Sequence, residues 1–598
     1  MKIKADAKNK VAFNNKVDFC IGTGRMGLAL QKEYYEELKF TQEYIGFSFI
    51  RGHGLFTDDM AIYHEYEMDG KKIIEYNYTY LDRVLDMYQS LNIAPFFELG
   101  FMPKQMASGE QAIFYWKGNV TPPKEYKNWA DMVSAMLQHC IDRYGEQVYD
   151  WPIEVWNEPN LPGFWKGADM QEYFKLFEVS YKAVKRVSKR FKVGGPAVCG
   201  IRDEFWIRSF LDFCLKKKLK PDFVTRHHYT TEMPERAGHY GYQILSLPEF
   251  GFANLQTSRD AIDSYPEFKG LPIHITEFNT SYIPNNPIHD TNINAAYLAQ
   301  QLSRLGDMNE SYSYWTFGDV FEEQGVPFSQ FHGGFGLVAH HCIPKPTFWS
   351  FAFFKKLKNF SEKCIYKDDS TVIVADGKGG FAGVAWNLSD KESTVDIELT
   401  GKAAKGDKFS VITETVDEKV CNPLKIWHDL GEPKYPSDAQ VEIIKSSSMP
   451  LTESDAIEAG AGGKLGLKFT LDRFGVKYFT VKPLVFEGDA GYDYKKIEDV
   501  SLTDLRNPKK AIARKAEEEA KAKEAFKKFQ EMAKKGIKPP FPGAPAAPVK
   551  EEKKPVAKKA AATVKKAVEA AKKAATKKTA AKAAKKAPAK KTAAKSKK

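Results

Sequence analysis

Two glutamates end apolar segments of the sequence in equivalent positions. Glu158 lies in the motif WNEPN and Glu277 in the motif TEFN. An acid at the end of an apolar strand has little structural purpose, although an ion-paired framework glutamate is the alternative for either residue alone. Two facing carboxylates, one protonated and one ionised, can perform acid/base and nucleophilic chemistry on an acetal. The pair is therefore the first candidate for a catalytic site.

The neighbours of the two glutamates predict different protonation states. Glu158 is followed and preceded by aromatic residues, which would disfavour its charged form and raise its pKa. Glu277 precedes the polar residues Asn279, Thr280 and Ser281, which could donate hydrogen bonds to its ionised form. We therefore expect Glu158 to be the general acid and Glu277 the nucleophile.

The elements that must position these residues alternate short apolar runs with amphipathic stretches over residues 16–350, the pattern of strands and crossover helices. Helical spacing is clearest in 124–145. The predicted strands are VDFCIG, YIGFSFIRGHG, IAPFFELG, WPIEVWNEP, FKVGGPAV, PDFVTRHHY, LPIHITEF and SYSYWTFGD. Eight strand and helix units predict a (β/α)8 TIM barrel, in which Glu158 and Glu277 follow strands four and seven and reach the active-site mouth.

The remaining sequence predicts three further regions. Residues 351–506 show short alternating segments separated by Gly, Asp and Lys turns, typical of an antiparallel β-sandwich domain; the segments are TVIVADG, FAGVAWNLS, STVDIELTG, KFSVITETV, GKLGLKFTL and VKYFTVKPL. Residues 507–538 predict a charged helical linker. Residues 539–598 are nearly all Lys, Ala, Thr and Pro, a composition that predicts a disordered basic tail.

The charge of the chain is divided unevenly. The net charge is +12, but residues 507–598 carry 30 Lys+Arg against 8 Asp+Glu, which leaves residues 1–506 with a net charge of −10. A nucleic-acid function is therefore not expected of the body of the protein. The tail is a candidate contact for nucleic acid or another polyanion, and a solubilising extension without a partner is the equal alternative.

Cysteine usage and targeting signals bound the location. The seven Cys form no CxxC pair and lie mostly in apolar runs, which predicts buried, reduced thiols and no cysteine metal site. The N-terminus has no apolar signal-peptide core, and no apolar stretch is long enough for a membrane span. We expect a cytoplasmic protein with no membrane partner, no metal and no cofactor.

A competing motif points to a dinucleotide. The segment 22–27 matches GxGxxG after a predicted strand, and Arg51 ends the next strand, as in an NADP-binding reductase. No acidic residue follows at the usual position, and six further strands would be unexplained. This reading is therefore the minor alternative.

From Cys20 to Phe348 the chain resembles glycoside hydrolase family 39, especially its bacterial β-xylosidases. The segments that carry the resemblance include CIGTGRMGLAL, IGFSFIRGHGLFTDDMAIY, EVWNEPNLPGFW, ITEFNTSYIPNNPIHDTNINAAY and SYWTFGDVFEEQGVPFSQFHGGFGLVAHHC. The resemblance implies a retaining mechanism with Glu158 as acid/base and Glu277 as nucleophile. It also implies that the β domain packs beside the barrel and recruits an N-terminal strand within residues 1–15.

The resemblance further implies a set of substrate-binding residues. Asn157 would bind the 2-hydroxyl of the sugar, and His53 and His227 would bind other hydroxyls, although the adjacent His228 leaves the choice of histidine open. Aromatic walls and further hydroxyl contacts would come from Phe114, Tyr282, Trp315, Glu322 and Glu323.

The implied activity is an exo-acting β-xylosidase that releases xylose from the non-reducing end of short xylo-oligosaccharides. An α-L-iduronidase or an arabinofuranosidase of the same family is the alternative, since no basic cluster for a uronate can be identified securely from the sequence. A homo-oligomer is a further expectation.

Overall fold

The computed structural model describes residues 1–327, 329–485, 487–488 and 491–537. Within these residues, eight parallel strands form a closed barrel in which each strand pairs with the next along the chain and the eighth pairs with the first. The barrel strands are Cys20–Arg25, Phe49–His53, Ala94–Leu99, Ile153–Val155, Val193–Val198, Phe223–Tyr229, Ile273–Asn279 and Ser311–Tyr314. Each lies in a segment where the sequence predicts a strand, so the predicted barrel is confirmed.

One main helix follows each barrel strand in the described part of the chain. These helices are Lys32–Tyr44, Thr79–Ser90, Tyr126–Tyr144, Met170–Val187, Asp203–Lys217, Pro248–Asp263, Asn292–Met308 and Pro346–Phe360. Tyr126–Tyr144 illustrates why they form, because its buried residues, among them Trp129, Met132, Val133 and Met136, recur at helical spacing. The helices therefore cover the barrel with their apolar faces, and the carboxyl ends of all eight strands meet at one mouth.

The closed barrel overturns the dinucleotide alternative. Residues 22–25 of the GxGxxG segment belong to the first barrel strand, which continues into a 3₁₀ turn rather than a phosphate-binding helix N-terminus. Gly22 packs so closely against Trp315 that a Cβ there would overlap the indole ring. These glycines therefore allow close packing inside the barrel mouth, and no open sheet with a crevice for a dinucleotide is formed.

The residues that follow the barrel form two sheets. Six antiparallel strands make the larger one: Cys364–Lys367, Thr371–Ala375, Phe381–Trp386, Lys408–Val416, Leu451–Glu458 and Val476–Pro483. In the smaller sheet, the N-terminal strand Lys2–Asp6 pairs in parallel with Ser393–Thr400, which pairs antiparallel with Lys464–Leu471. Apolar side chains from both sheets share one buried cluster, in which Ile3 and Ile397 from the smaller sheet pack with Phe409 and Phe479 from the larger.

The chain divides into two compact units, the second of which begins at residue 487 and is described over residues 487–488 and 491–537. The first contains the barrel and both sheets. In the second, the helix Pro508–Lys534 lies within the predicted helical stretch 507–538. The predicted basic tail, 539–598, lies outside the described residues. Among the helices that the structure describes, none has the length and apolar character needed to cross a membrane.

The seven cysteines are all unpaired thiols. Six are buried, and Cys342 is partly exposed. This agrees with the prediction of mostly buried, reduced cysteines.

Candidate active site

The barrel brings Glu158 and Glu277 together at the carboxyl ends of its strands. Glu277 lies in the seventh strand, and Glu158 follows the fourth by three residues. Their side chains are 6% and 9% exposed. One oxygen from each carboxylate and a ring nitrogen of His227 all lie within 4.8 Å of one another. The two acids can therefore act on opposite sides of one small group.

Glu277 accepts hydrogen bonds from Arg51, which is fully buried, and from Tyr229, which is partly buried. Arg51 Nη1 lies 2.6 Å from its Oε1, and the hydroxyl of Tyr229 donates to its Oε2 at 2.7 Å. The sequence suggested neither of these donors. Of the residues it did suggest, Asn279 donates to the carbonyl of Trp315 and Ser281 donates to Gln243. The two donors fix the position of both carboxylate oxygens.

Arg51 links Glu277 to three further side chains of the site. Its guanidinium is fully buried and contacts Glu154 Oε2 at 2.6 Å, Glu98 Oε2 at 2.9 Å and Asn157 Oδ1 at 2.7 Å. These carboxylates raise the pKa of Arg51 against the opposing effect of burial, so the guanidinium remains charged. Its planar donors thereby hold the nucleophile candidate and Asn157 in a fixed relation.

Glu158 has a different environment. Its Oε1 lies 2.7 Å from Nδ1 of His227, and burial, with a further contribution from the charge of Glu277, raises the pKa of Glu158 well above its usual range. Burial, followed by the charge of Arg51, lowers the pKa of His227 well below its usual range, so this imidazole is neutral. A neutral partner does not favour ionisation of Glu158. The predicted direction of its pKa shift is confirmed.

The backbone that presents Glu158 is strained. Trp156 and Glu158 have φ angles of 71° and 43°, in the left-handed region that non-glycine residues seldom occupy. Such conformations cost of order 1–3 kcal/mol and concentrate at functional sites. Backbone hydrogen bonds over-determine the conformation, since Glu158 N–H donates to the carbonyl of Ala197 on the fifth strand at 2.9 Å.

His53 and aromatic rings form one wall of the site. Nδ1 of His53 lies 2.7 Å from Glu98 Oε2, which leaves Nε2 directed at Glu277 and Glu323, 3.7 and 3.8 Å away. The His53 ring packs against Trp315 and Phe114, with centroids 4.7 and 5.8 Å away. Trp315 is buried and Phe114 is partly exposed. Both aromatic residues are therefore placed where a sugar face could contact them.

The other predicted residues occupy the edge of the site. Burial, reinforced by the charges of Glu277 and Glu158, raises the pKa of Glu323 well above its usual range. Glu322 is turned to Arg25, with an Nη1 to Oε2 distance of 2.6 Å. Tyr282 is 39% exposed, and its ring lies 6.4 Å from that of Tyr229.

The structure distinguishes the two adjacent histidines. His227 lies between the two glutamates, whereas Nε2 of His228 lies 3.1 Å from Gln301 on the helix Asn292–Met308. Alternation along the sixth strand turns the two side chains in opposite directions. Only His227 therefore belongs to the site.

The arrangement suits acid/base and nucleophilic chemistry on an acetal. It holds one carboxyl group protonated by burial and another against a cation, which are the two states such chemistry requires. Glu158, His227 and Glu277 also offer a donor set of a kind that binds divalent cations. Arg51 already places a positive charge against Glu277, and His227 is the hydrogen-bond partner of Glu158, so each glutamate has a partner from the chain itself.

Comparison with known proteins gives a consistent result. The sequence profile described as "Glycosyl hydrolases family 39" matches residues 1–463. A β-xylosidase of Geobacillus stearothermophilus is 49% identical over 452 residues, covering 74% of this chain and 88% of the relative. A β-xylosidase of Caldicellulosiruptor saccharolyticus is 34% identical over 438 residues, covering 72% and 88%. The crystal structure of a monomeric β-xylosidase from Caulobacter crescentus is 29% identical with a TM-score of 0.73, covering 81% of this chain and all of that one.

Proposed function

Since the chain belongs to glycosyl hydrolase family 39 and is a glycosidase, we propose that it is a retaining β-xylosidase that releases xylose from the non-reducing end of short xylo-oligosaccharides. The observation that carries the mechanism is the approach of Glu158 and Glu277, whose nearest carboxylate oxygens lie within 4.8 Å. Retaining glycosidases place their carboxyl groups about 5–5.5 Å apart, whereas inverting enzymes need about 6.5–9.5 Å to admit a water molecule. The short separation supports double displacement.

In the first step, Glu277 attacks the anomeric carbon. Arg51 and Tyr229 hold its two oxygens, so little reorganisation is needed before attack. The product is an ester between Glu277 and the sugar. Because the ester oxygen carries no full charge, the interaction with Arg51 weakens as the ester forms.

Glu158 supplies a proton to the leaving oxygen in the same step. Its buried carboxyl group, beside neutral His227 and anionic Glu277, carries a proton near neutral pH. Esterification of Glu277 removes the nearby negative charge, which lowers the pKa of Glu158. The resulting carboxylate can then activate water for the second displacement.

Substrate contacts follow from the positions around the pair. The Oδ1 of Asn157 accepts from Arg51, which orients its NH₂ group as a donor for the 2-hydroxyl. Nε2 of His53 and the protonated carboxyl group of Glu323 are further hydroxyl partners. Trp315 and Phe114 supply apolar surface beside them.

The charges of the site favour a neutral sugar over a uronate. Among the described residues, the two arginines at the site are both committed to carboxylates, Arg51 to Glu98, Glu154 and Glu277, and Arg25 to its acidic partners at distances of 2.6 and 2.8 Å. A uronate would also meet the negative charge of Glu277. The two β-xylosidases that are 49% and 34% identical to this chain support xylose, and the iduronidase alternative is the weaker one.

We also infer the roles of the other regions. The apolar cluster shared by the two sheets supports a β-sandwich domain beside the 16–350 barrel, within residues 351–506 and joined by the N-terminal strand. The seven unpaired thiols support a reducing, cytoplasmic environment. Polyanion binding by the tail and homo-oligomerisation stay predictions.

Azide rescue tests the assigned roles. Glu277→Ala should lose nearly all turnover of an aryl β-xyloside, and azide should restore it by attacking the vacated face, giving an inverted glycosyl azide. Glu158→Ala should still form the glycosyl-enzyme from an activated aryl leaving group. Azide should then attack that intermediate and give the retained β-glycosyl azide. Product stereochemistry is read by NMR.

A matched control is Glu310→Ala, because Glu310 is half exposed and precedes the eighth strand, at the opposite end of the barrel. It should keep wild-type turnover. Exchange of the two stereochemical outcomes would reverse the assignment. A wild-type preference for an aryl iduronide or arabinofuranoside over the xyloside would refute the choice of sugar while leaving the mechanism standing.

A further inference from the structure

A second cluster of metal-ligand side chains lies outside the catalytic site. Glu33 and Glu37 occupy adjacent turns of the helix Lys32–Tyr44, on the outside of the barrel. His340 lies in the turn between the short paired strands Val338–Ala339 and Ile343–Pro344. One donor atom from each of the three side chains lies within 4.8 Å of the other two. Two carboxylates and one imidazole thus converge from separate parts of the chain.

Glu37 is the unusual member of this cluster. It is fully buried, and neither of its side-chain oxygens has a hydrogen-bond partner of normal geometry among the described residues. A buried carboxylate without a partner is costly, so Glu37 must either carry a proton or bind a cation.

The nearby lysine cannot fill this role directly. Lys345 is buried and its Nζ binds Asp290 at 2.6 Å and Asp319 at 2.7 Å. His340 Nδ1 lies 3.2 Å from Glu33 Oε1, and the backbone N–H of His341 donates to the same oxygen at 3.1 Å. Neither of these bonds reaches Glu37, which therefore depends on a proton or on a bound cation.

We propose that Glu33, Glu37 and His340 bind one divalent transition-metal ion, and that this ion is zinc. Zinc accepts imidazole nitrogen and carboxylate oxygen at about 2.0–2.2 Å, and ligand atoms around a tetrahedral ion lie about 3.3 Å apart. Because Glu37 is fully buried, rotation of the partly exposed Glu33 and His340 would have to bring the three donors to that spacing. Glu33 and His340 are partly exposed, with side-chain exposures of 39% and 22%, so the ion can enter from solvent and water can complete its coordination.

The ion would fasten the loop after the eighth strand to the first helix. Glu37 packs directly against Gly318 of this loop, where a Cβ would overlap its Oε2. The same loop begins at Trp315 and carries Glu323, both at the catalytic site. We therefore assign the ion a structural role that stabilises this loop, separate from the chemistry of Glu158 and Glu277.

Zinc titration of the full-length, untagged chain tests the proposal. The chain is stripped with chelator and then analysed by equilibrium dialysis against zinc chloride and by thermal unfolding. We expect one zinc per chain with a dissociation constant in the micromolar range or below, and a rise in Tm with zinc. Glu37→Gln should weaken binding at least tenfold and remove the rise in Tm. It keeps the side-chain volume and resembles the protonated acid, so its fold should be retained.

Two controls locate the ion. Glu432→Gln alters an exposed glutamate that also pairs with a histidine, His428 Nδ1 at 2.6 Å, and should leave zinc binding unchanged. Glu158→Gln alters the other donor set of this type and should also leave it unchanged. X-ray absorption at the zinc edge should show nitrogen or oxygen ligands near 2.0–2.1 Å. No zinc bound to the wild-type chain, or binding lost in Glu158→Gln and kept in Glu37→Gln, would overturn the proposal.

Discussion

Removing the hydroxyl of Tyr229 tests how one hydrogen bond contributes to the proposed nucleophile, Glu277. It donates to Glu277 Oε2 at 2.7 Å, where the Glu277 side chain is almost fully buried and Tyr229 is partly buried. Tyr229→Phe removes this hydroxyl and little else, because the ring is retained. The carboxylate then keeps Arg51 on one oxygen, while the other has lost its donor. We expect a protein that folds normally and turns over slowly.

The magnitude follows from the charge of the acceptor. A hydrogen bond to a charged group contributes roughly 1.5–3 kcal/mol, more than a neutral one. At about 1.4 kcal/mol per tenfold change in rate, losing this contribution on the way to the transition state lowers kcat/KM roughly 10- to 150-fold. The drop should stay well short of that for Glu277→Ala, since Arg51 still holds the nucleophile.

The assay is kcat/KM on an aryl β-xyloside, with Tm measured for each variant. Tyr66→Phe is the matched control, because its hydroxyl also donates to a carboxylate, Glu75 Oε1 at 2.9 Å, but on the exposed hairpin Tyr63–Tyr76 and not among the site residues. Its kcat/KM should change less than threefold. A Tyr229→Phe rate within threefold of wild type, with an unchanged Tm, would refute the argument that this hydroxyl positions Glu277.

Three further expectations concern pH, stability and the tail. Glu158 must carry a proton and burial raises its pKa, so kcat/KM should fall as pH rises through that pKa. In Glu158→Gln this loss of activity at alkaline pH should vanish from the pH profile. If the loss persists in Glu158→Gln, another group is responsible for it. Arg51→Met leaves three buried carboxylates without their cation and should lower the free energy of unfolding by about 3–5 kcal/mol, measured by urea denaturation, where an unchanged midpoint would contradict the estimate. A chain ending at residue 537 should keep turnover of a neutral aryl xyloside within about twofold, since charges are screened over about 8 Å at physiological salt. The same truncated chain should lose any salt-dependent polyanion binding. A large loss of turnover would show that the tail supports the enzyme.

The strands were predictable where burial imposes a pattern. All eight barrel strands and six of the strands that follow them lie in apolar or alternating segments that the sequence analysis singled out. The two edge strands of the larger sheet, Cys364–Lys367 and Leu451–Glu458, were missed. Cys364–Lys367 is only four residues long, and Leu451–Glu458 leaves nearly every side chain exposed, so neither sequence carries a clear apolar alternation. The short helices Pro423–Asp429 and Asp438–Ser446 were missed for a related reason, since each buries few residues.

The two candidate glutamates were predictable from a simple physical signal, a charged residue in an apolar barrel strand. The same signal marks Arg51 in FIRGH, Glu98 in APFFEL and Glu154 in IEV, and Arg51 contacts both of these glutamates in the barrel. From the sequence alone, Arg51 was considered only within the minor dinucleotide alternative, and its place among the carboxylates was not predicted. What the sequence could not supply was the pairing, because side chains from strands two, three, four and seven meet only once the barrel has closed.

This pairing gives the two glutamates their different roles. Arg51 lies against Glu277 and contacts Glu98 and Glu154 as well, so one cation serves several buried carboxylates and protons must compensate for the rest. Glu158 has only neutral His227 as its partner, and it is therefore the acid that retains a proton. When the glycosyl ester neutralises Glu277, the negative charge beside Glu158 disappears while Arg51 remains. The same arrangement that protonates Glu158 for the first displacement therefore releases its proton for the second.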